Sequence, residues 1–154
     1  MFYNNCSHTK DFINMEKLPD DLPECLVFLL GKAYQKAHGD FKKRLKPYGL
    51  TNMQHLVLEG LWYQNGMTAT EISRLLRLDK ATLSGVLDRM VETDWVFREP
   101  HPEDGRVYQL FTSEKADTLR DELIEERKNA NDDIMALFSI EDRQTLTRLL
   151  WEMI

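Results

Sequence analysis

Residues 68–112 read TATEISRLLRLDKATLSGVLDRMVETDWVFREPHPEDGRVYQLFT. Thr68 followed by Glu71, ahead of Ile72, Leu75 and Leu76, is a capping box that opens a short helix. Asp79 caps a second helix, in which Leu83, Val86, Leu87 and Met90 recur at helical spacing. Beyond it, Trp95–Glu99 and Val107–Phe111 have the composition of strands, and Glu103-Asp104-Gly105 supplies the turn between them. A second helix that opens with small polar side chains, held in place by a first, presents those side chains to a DNA major groove. A stiff hairpin with Arg106 near its tip suits the adjacent minor groove. The stretch therefore predicts a winged helix-turn-helix and, with it, DNA binding.

Upstream, a long helix is expected from about Pro23 to Leu45. Leu26, Leu29, Leu30, Ala33, Ala37, Phe41 and Leu45 form its apolar stripe, and Pro47 and Gly49 end it. Thr51 with Gln54 opens a second helix, carrying Leu56, Leu58, Leu61 and Trp62, which stops at Asn65-Gly66. After the hairpin, Thr112 is expected to cap a helix running to about Phe138. Ser139, with Asp142 behind it, caps a last one. The predicted fold class is mainly α (α+β): six helices with a two-stranded β wing. The fifth helix, about 26 residues or roughly 39 Å, is longer than a compact DNA-binding module covers. The sixth carries Leu149, Leu150, Trp151, Met153 and Ile154, an apolar end that needs a covering surface. A twofold partner provides one, so a homodimer is expected. The expected division is a tail at 1–22, a helical dimerisation region at 23–50 and 113–154, and the winged helix-turn-helix lobe at 51–112.

Across 154 residues, 20 Lys/Arg face 26 Asp/Glu, for a net charge of −6. An acidic total weighs against DNA binding, but its distribution weighs more. Residues 1–66 carry a net +1, residues 67–112 a net −2 and residues 113–154 a net −5. In the middle segment Arg74, Arg77, Lys80, Arg89, Arg98 and Arg106 are able to share a face, while Glu71 and Asp79 sit at helix starts and favour the helix dipole. No apolar run approaches membrane-spanning length and the N-terminus lacks an apolar signal core, so a cytoplasmic protein without a membrane partner is expected. Cys6 and Cys25 make no disulfide framework. His8, His38, His55 and His101 show no metal-protease spacing, and neither a phosphate loop nor a nucleophile elbow is present. No enzyme, catalytic residue or cofactor is expected. A zinc site would require Cys25, His38 and an acid such as Glu24 to converge, and none is predicted.

The order of these elements, together with Leu50-Thr51-x-x-Gln54, Leu78-Asp79-Lys80-Ala81-Thr82-Leu83-Ser84, Leu87-Asp88-Arg89-Met90 and Pro102-Glu103-Asp104-Gly105-Arg106, resembles the MarR/SlyA family of bacterial regulators. The resemblance covers about residues 24 to 154, and its last motif contains the family's Asp-x-Arg wing signature. It departs at Gly85, where many members carry a larger polar or basic residue, and at Asp94-Trp95, where Gly-Leu usually enters the wing. It departs again at residues 111–116, where the usual motif is Leu-Thr-x-x-Gly. The resemblance implies a repressor acting on the bacterial nucleoid, a palindromic operator in double-stranded DNA, and a homodimer. It also implies a small aromatic or phenolic effector bound where the dimer helices meet the DNA-binding lobe.

On the residues, the expected DNA-binding set is Lys80, Ala81, Thr82, Ser84, Arg89, Arg98, Asp104 and Arg106. The bland alternative is a solvated helix face, with Arg106 merely pairing with Asp104. Asp88 reads as a structural partner for Arg89 or for the wing. Tyr34, His38, His55 and Trp62 are the candidate effector contacts, or else core and interface filling. Cys25, near a helix start where the dipole favours a thiolate, is a candidate redox switch, or else a small buried hydrophobe. The cysteine of peroxide-sensing relatives aligns with Val27 instead. Two alternatives remain beside the repressor: a thiol-based redox-sensing regulator using Cys25, and a winged-helix protein-interaction module that does not bind DNA.

Overall fold

The computed structural model describes residues 18–19 and 21–154, and the chain divides into two units at the Lys36–Ala37 junction. Most of the tail assigned to 1–22, with Cys6 and His8, lies outside the described residues. In the first unit a 3-10 turn, Leu22–Glu24, precedes helix α1, Leu26–Leu45, which continues into the second unit. Pro23 therefore lies within this short turn and does not open the long helix.

The second unit contains a 3-10 turn at Lys46–Tyr48, α2 (Asn52–Tyr63), β1 (Met67–Thr68), α3 (Ala69–Leu75), α4 (Lys80–Glu92), β2 (Val96–Pro100), β3 (Tyr108–Thr112), α5 (Glu114–Thr118), α6 (Arg120–Met135) and α7 (Ile140–Met153). The caps read from the sequence form. Thr51 accepts from the Gln54 N–H and Thr68 from the Glu71 N–H, each in a reciprocal box. Asp79 accepts from Thr82 and Ser139 from Asp142. Three expectations shift. The wing is a three-stranded antiparallel sheet in the order β1-β3-β2, with Met67 opposite Leu110 and Arg98 also opposite Leu110. The helix after the wing is capped by Ser113, because Thr112 is buried in β3 with its N–H on Asn65 Oδ1. That helix also breaks at Leu119, whose N–H is shared by the Asp117 and Lys115 carbonyls, so the described residues hold seven α-helices.

The core of this unit gathers Val57, Leu58 and Leu61 from α2, Ile72 from α3, Leu83, Leu87 and Met90 from α4, Trp95 and Val96 at the wing entry, and Leu123 from α6. Leu75, expected to face the core from α3, is exposed, as is Leu56 of α2. Gly66 is needed where it stands. Its φ is +80°, and an added Cβ would lie 3.0 Å from the Phe111 ring.

Candidate nucleic-acid interface

The α3–α4 corner sets the interface. Ser73 donates to the Leu78 carbonyl at 2.8 Å, and Arg77 adopts a left-handed φ of 51° to turn the chain. The Arg77 guanidinium donates to the Ile154 carbonyl. The Asp79 carboxylate accepts from both the N–H and the hydroxyl of Thr82, at 2.9 and 3.0 Å. Those bonds hold it below the usual carboxylate range and fix the first turn of α4. Leu83, Leu87 and Met90 anchor the inner face, so Ala81, Thr82, Ser84, Gly85, Asp88 and Arg89 stand exposed. Gly85 lies in that exposed set with nothing within 4 Å of an added Cβ.

The wing is stiffened by the stacked rings of Phe97 and Phe111, centroids 5.5 Å apart, and by Gln109 donating to the Gly66 carbonyl at 2.7 Å. At its tip the Asp104 carboxylate receives Arg106 Nε at 3.0 Å, Nη2 at 3.1 Å and the Arg106 N–H at 3.1 Å. This fork pulls the Asp104 carboxyl below its ordinary range and raises Arg106. The Arg106 side chain is still 90% exposed, so the clamp fixes its base and leaves it presented to solvent.

Between α4 and the wing runs a groove of about 390 Å³. Lys80 and Ser84 from α4, Arg98 and Arg106 from the wing, and Thr70 from α3 line it, over a floor that includes Leu83, Leu87 and Leu110. Four of the eight sequence-assigned residues, Lys80, Ser84, Arg98 and Arg106, thus converge. Asp104 holds one of the four, and Ala81, Thr82 and Arg89 lie on the exposed part of α4 outside that lining. The Asp88 carboxylate takes Arg98 Nη2 at 2.5 Å, so of the two structural roles its sequence suggests, partner of Arg89 or of the wing, Asp88 fills the second.

The other assigned residues fare differently. His55 is 1% exposed, with Nε2 on the Leu123 carbonyl at 3.0 Å and edge-on contacts to Phe41 and Trp62. It is a core residue and offers a ligand no surface. Trp62 is half-buried and donates to Asp117 at 3.2 Å. Tyr34 is 66% exposed, His38 and Cys25 are half-buried, and Cys25 is a free cysteine. Among the described residues no three His, Cys, Asp or Glu side chains converge as metal ligands, and no helix is long and apolar enough to cross a membrane.

A capped helix pair with an exposed, partly basic second helix, flanked by an arginine-tipped hairpin, defines a winged helix-turn-helix regulator. The family model for MarR matches residues 48–107. The HTH-type transcriptional regulator MgrA of Staphylococcus aureus is 31% identical over 137 residues, which is 87% of this chain and 90% of the relative. The chain belongs to the MarR family of transcriptional regulators, a DNA-binding class and not a class of enzymes. The HTH-type transcriptional repressor NicR of Pseudomonas putida is 26% identical over 91% of this chain and 89% of its own. A probable transcriptional regulator from Pseudomonas aeruginosa superposes with a TM-score of 0.81 at 26% identity, covering 86% of this chain and 99% of that one. The repressor CouR, solved on a 23-mer DNA duplex, shares the fold with a TM-score of 0.77 at 24% identity over 93% of this chain and 99% of its own.

Proposed function

We propose that the protein is a homodimeric repressor that reads a palindromic operator and releases it when a small aromatic effector binds. Helix α4 enters the major groove with Lys80, Ala81, Thr82, Ser84 and Arg89, and Arg106, aimed by Asp104, enters the adjacent minor groove. The observation that carries the reading is the meeting of Lys80, Ser84, Arg98 and Arg106 around one groove, with Arg106 pinned at its base and exposed along its length. NicR and CouR are both named repressors, and CouR was solved on duplex DNA. Dimerisation is supported by the apolar side chains left uncovered on α7, where Trp151 is 68% and Ile154 73% exposed, and on α1, where Leu26 is 58% and Val27 82% exposed. The effector is assigned to the junction of α2 with α5 and α6, where Trp62 is the half-buried aromatic; the site of action is the bacterial cytoplasm.

Selection of bound sequences from a random duplex pool with the purified full chain tests the reading. An enriched inverted repeat with half-sites about one helical turn apart is expected. Recovery of no preferred sequence would point to a winged-helix interaction module instead. Titrating the selected complex with phenolic acids, while following Trp62 against a Trp62→Phe control, tests the effector. Release that depends on oxidant and on Cys25 would replace it with a thiol switch.

A further inference from the structure

An acidic side chain on the surface that approaches polyphosphate repels it, so Asp88 calls for an explanation. Lys80, Ser84 and Asp88 are spaced by four and form one row along α4. Lys80 and Ser84 line the α4–wing groove, and Arg98 reaches into the same groove from β2. At the end of the row the Asp88 carboxylate takes Arg98 Nη2 at 2.5 Å, with the two side chains 54% and 37% exposed. Among the described residues no other side-chain hydrogen bond joins α4 to the wing strands. Arg106, by contrast, pairs only within its own turn. The two wing arginines are thus held to different ends: one fixes the wing to the helix, the other is presented outward.

We infer that Asp88 and Arg98 are a positioning pair that locks the wing onto the recognition helix, so that base reading by α4 and minor-groove insertion by Arg106 occur as one event. Arg98 is then not a phosphate contact. Its guanidinium is held by the protein before and after binding, and binding releases no counterion on its account. The inference rests on the DNA-reading function proposed above. It concerns how specificity is kept rather than how affinity is gained, since an Asp at this place costs affinity for any duplex.

The experiment compares wild type, Asp88→Asn, Arg98→Gln, Asp88→Glu and the Asp88→Asn/Arg98→Gln double variant. Each is titrated on the selected operator and on a random duplex of equal length, at four salt concentrations. The expected result is that each single neutral variant lowers the operator-to-random preference about tenfold. The double variant lowers it about tenfold as well, because the two side chains act through each other. Asp88→Glu regains part of the loss. Arg98→Gln leaves the salt slope at the wild-type value, whereas Arg106→Ala reduces it by about one if its contact is to phosphate. Thermal unfolding of each variant separates loss of positioning from loss of fold. An Arg98→Gln slope lowered by about one overturns the inference and makes Arg98 a phosphate contact. So does a hundredfold loss in the double variant. So does an Asp88→Asn chain that binds both duplexes more tightly with its preference intact, because Asp88 would then be a repulsive charge and nothing more. A wild-type chain without any preferred duplex overturns the inference and the proposed function together.

Discussion

Among the described residues, two outside glycine hold left-handed backbone, Arg77 at φ 51° and Asp94 at φ 56°. Asp94 ends α4 and enters the wing, the place where the family usually has glycine. Asp tolerates this region better than most residues, but its Cβ still costs free energy there. The local bonds that use Asp94 come from its backbone: its carbonyl accepts from Ser113 Oγ at 2.8 Å. Asp94→Gly therefore keeps them and relieves the strain. We expect a gain of about 0.5–1 kcal/mol, seen as a higher urea midpoint at unchanged slope; a lower midpoint would refute it. His55 makes a pH prediction. Burial pushes its pKa below the ordinary value, against the opposing pull of the Leu123 carbonyl and the Glu59 charge. The folded chain thus binds fewer protons at this site than the unfolded one. The stabilisation is complete above about pH 6.5 and is lost as pH falls below that toward the folded value. His55→Phe keeps ring contact with Phe41 and Trp62 and should flatten the decline in urea stability between about pH 7 and 5. An unchanged decline would assign it to other groups. That His55 fills the core is one of the two readings its sequence allows; its partner is not legible there, because Leu123 lies 68 residues away.

At the scale of elements, the helix starts were legible and the junctions were not. Thr51, Thr68, Asp79 and Ser139 each cap the residue three positions on, so each signal lies within one turn of chain. Strand β1 is two residues long and exists only through Leu110 and Gln109, more than 40 positions later. The break at Leu119 carries neither proline nor glycine, so helical periodicity runs straight through it. For the interface, the residue types and the local Asp104–Arg106 pair were legible, and Asp88 was legible as a partner of Arg89 or the wing; that its partner is Arg98, assigned to DNA, waited on β2 bringing the two together. The wing carries its own prediction. Because Asp104 already holds Arg106 in a fork, insertion into a groove needs little further ordering of that side chain. Arg106→Ala should weaken operator binding, most of all where the flanking minor groove is narrow and A·T-rich. The measurement is affinity for operators with A·T-rich and G·C-rich flanks at two salt concentrations. Equal affinities for wild type and variant would leave Arg106 as a turn stabiliser.

For the whole molecule, α7 poses the main structural question. Leu149, Leu150, Trp151, Met153 and Ile154 are all at least 42% exposed, and at the α6–α7 turn Leu137 and Ile140 are 67% and 74% exposed. A second copy is the expected cover, so the full chain should sediment at twice the chain mass. Removing residues 139–154 should leave an aggregating or unfolded product. A well-folded monomer from that truncation would refute the shared core. The acid of the last third also has structural work. Asp117, Glu122, Glu126 and Asp133 receive Trp62, Tyr48 and Arg44, joining α5 and α6 to α2, to the C-terminal end of α1 and to the 3-10 turn that follows it. The Glu122 carboxylate pushes the Tyr48 hydroxyl up to about 12. Charge placed there to hold the molecule together has a kinetic consequence. At low salt, where the Debye length is long, an approaching duplex meets the total of −6, whereas one within about 8 Å, the Debye length at physiological ionic strength, meets the basic groove between α4 and the wing. Salt then screens the repulsion on approach as well as the attraction at contact. Stopped-flow association is therefore expected to rise or stay level as salt increases while dissociation quickens; association that falls steeply with salt would show that the basic groove, and not the total charge, governs the approach.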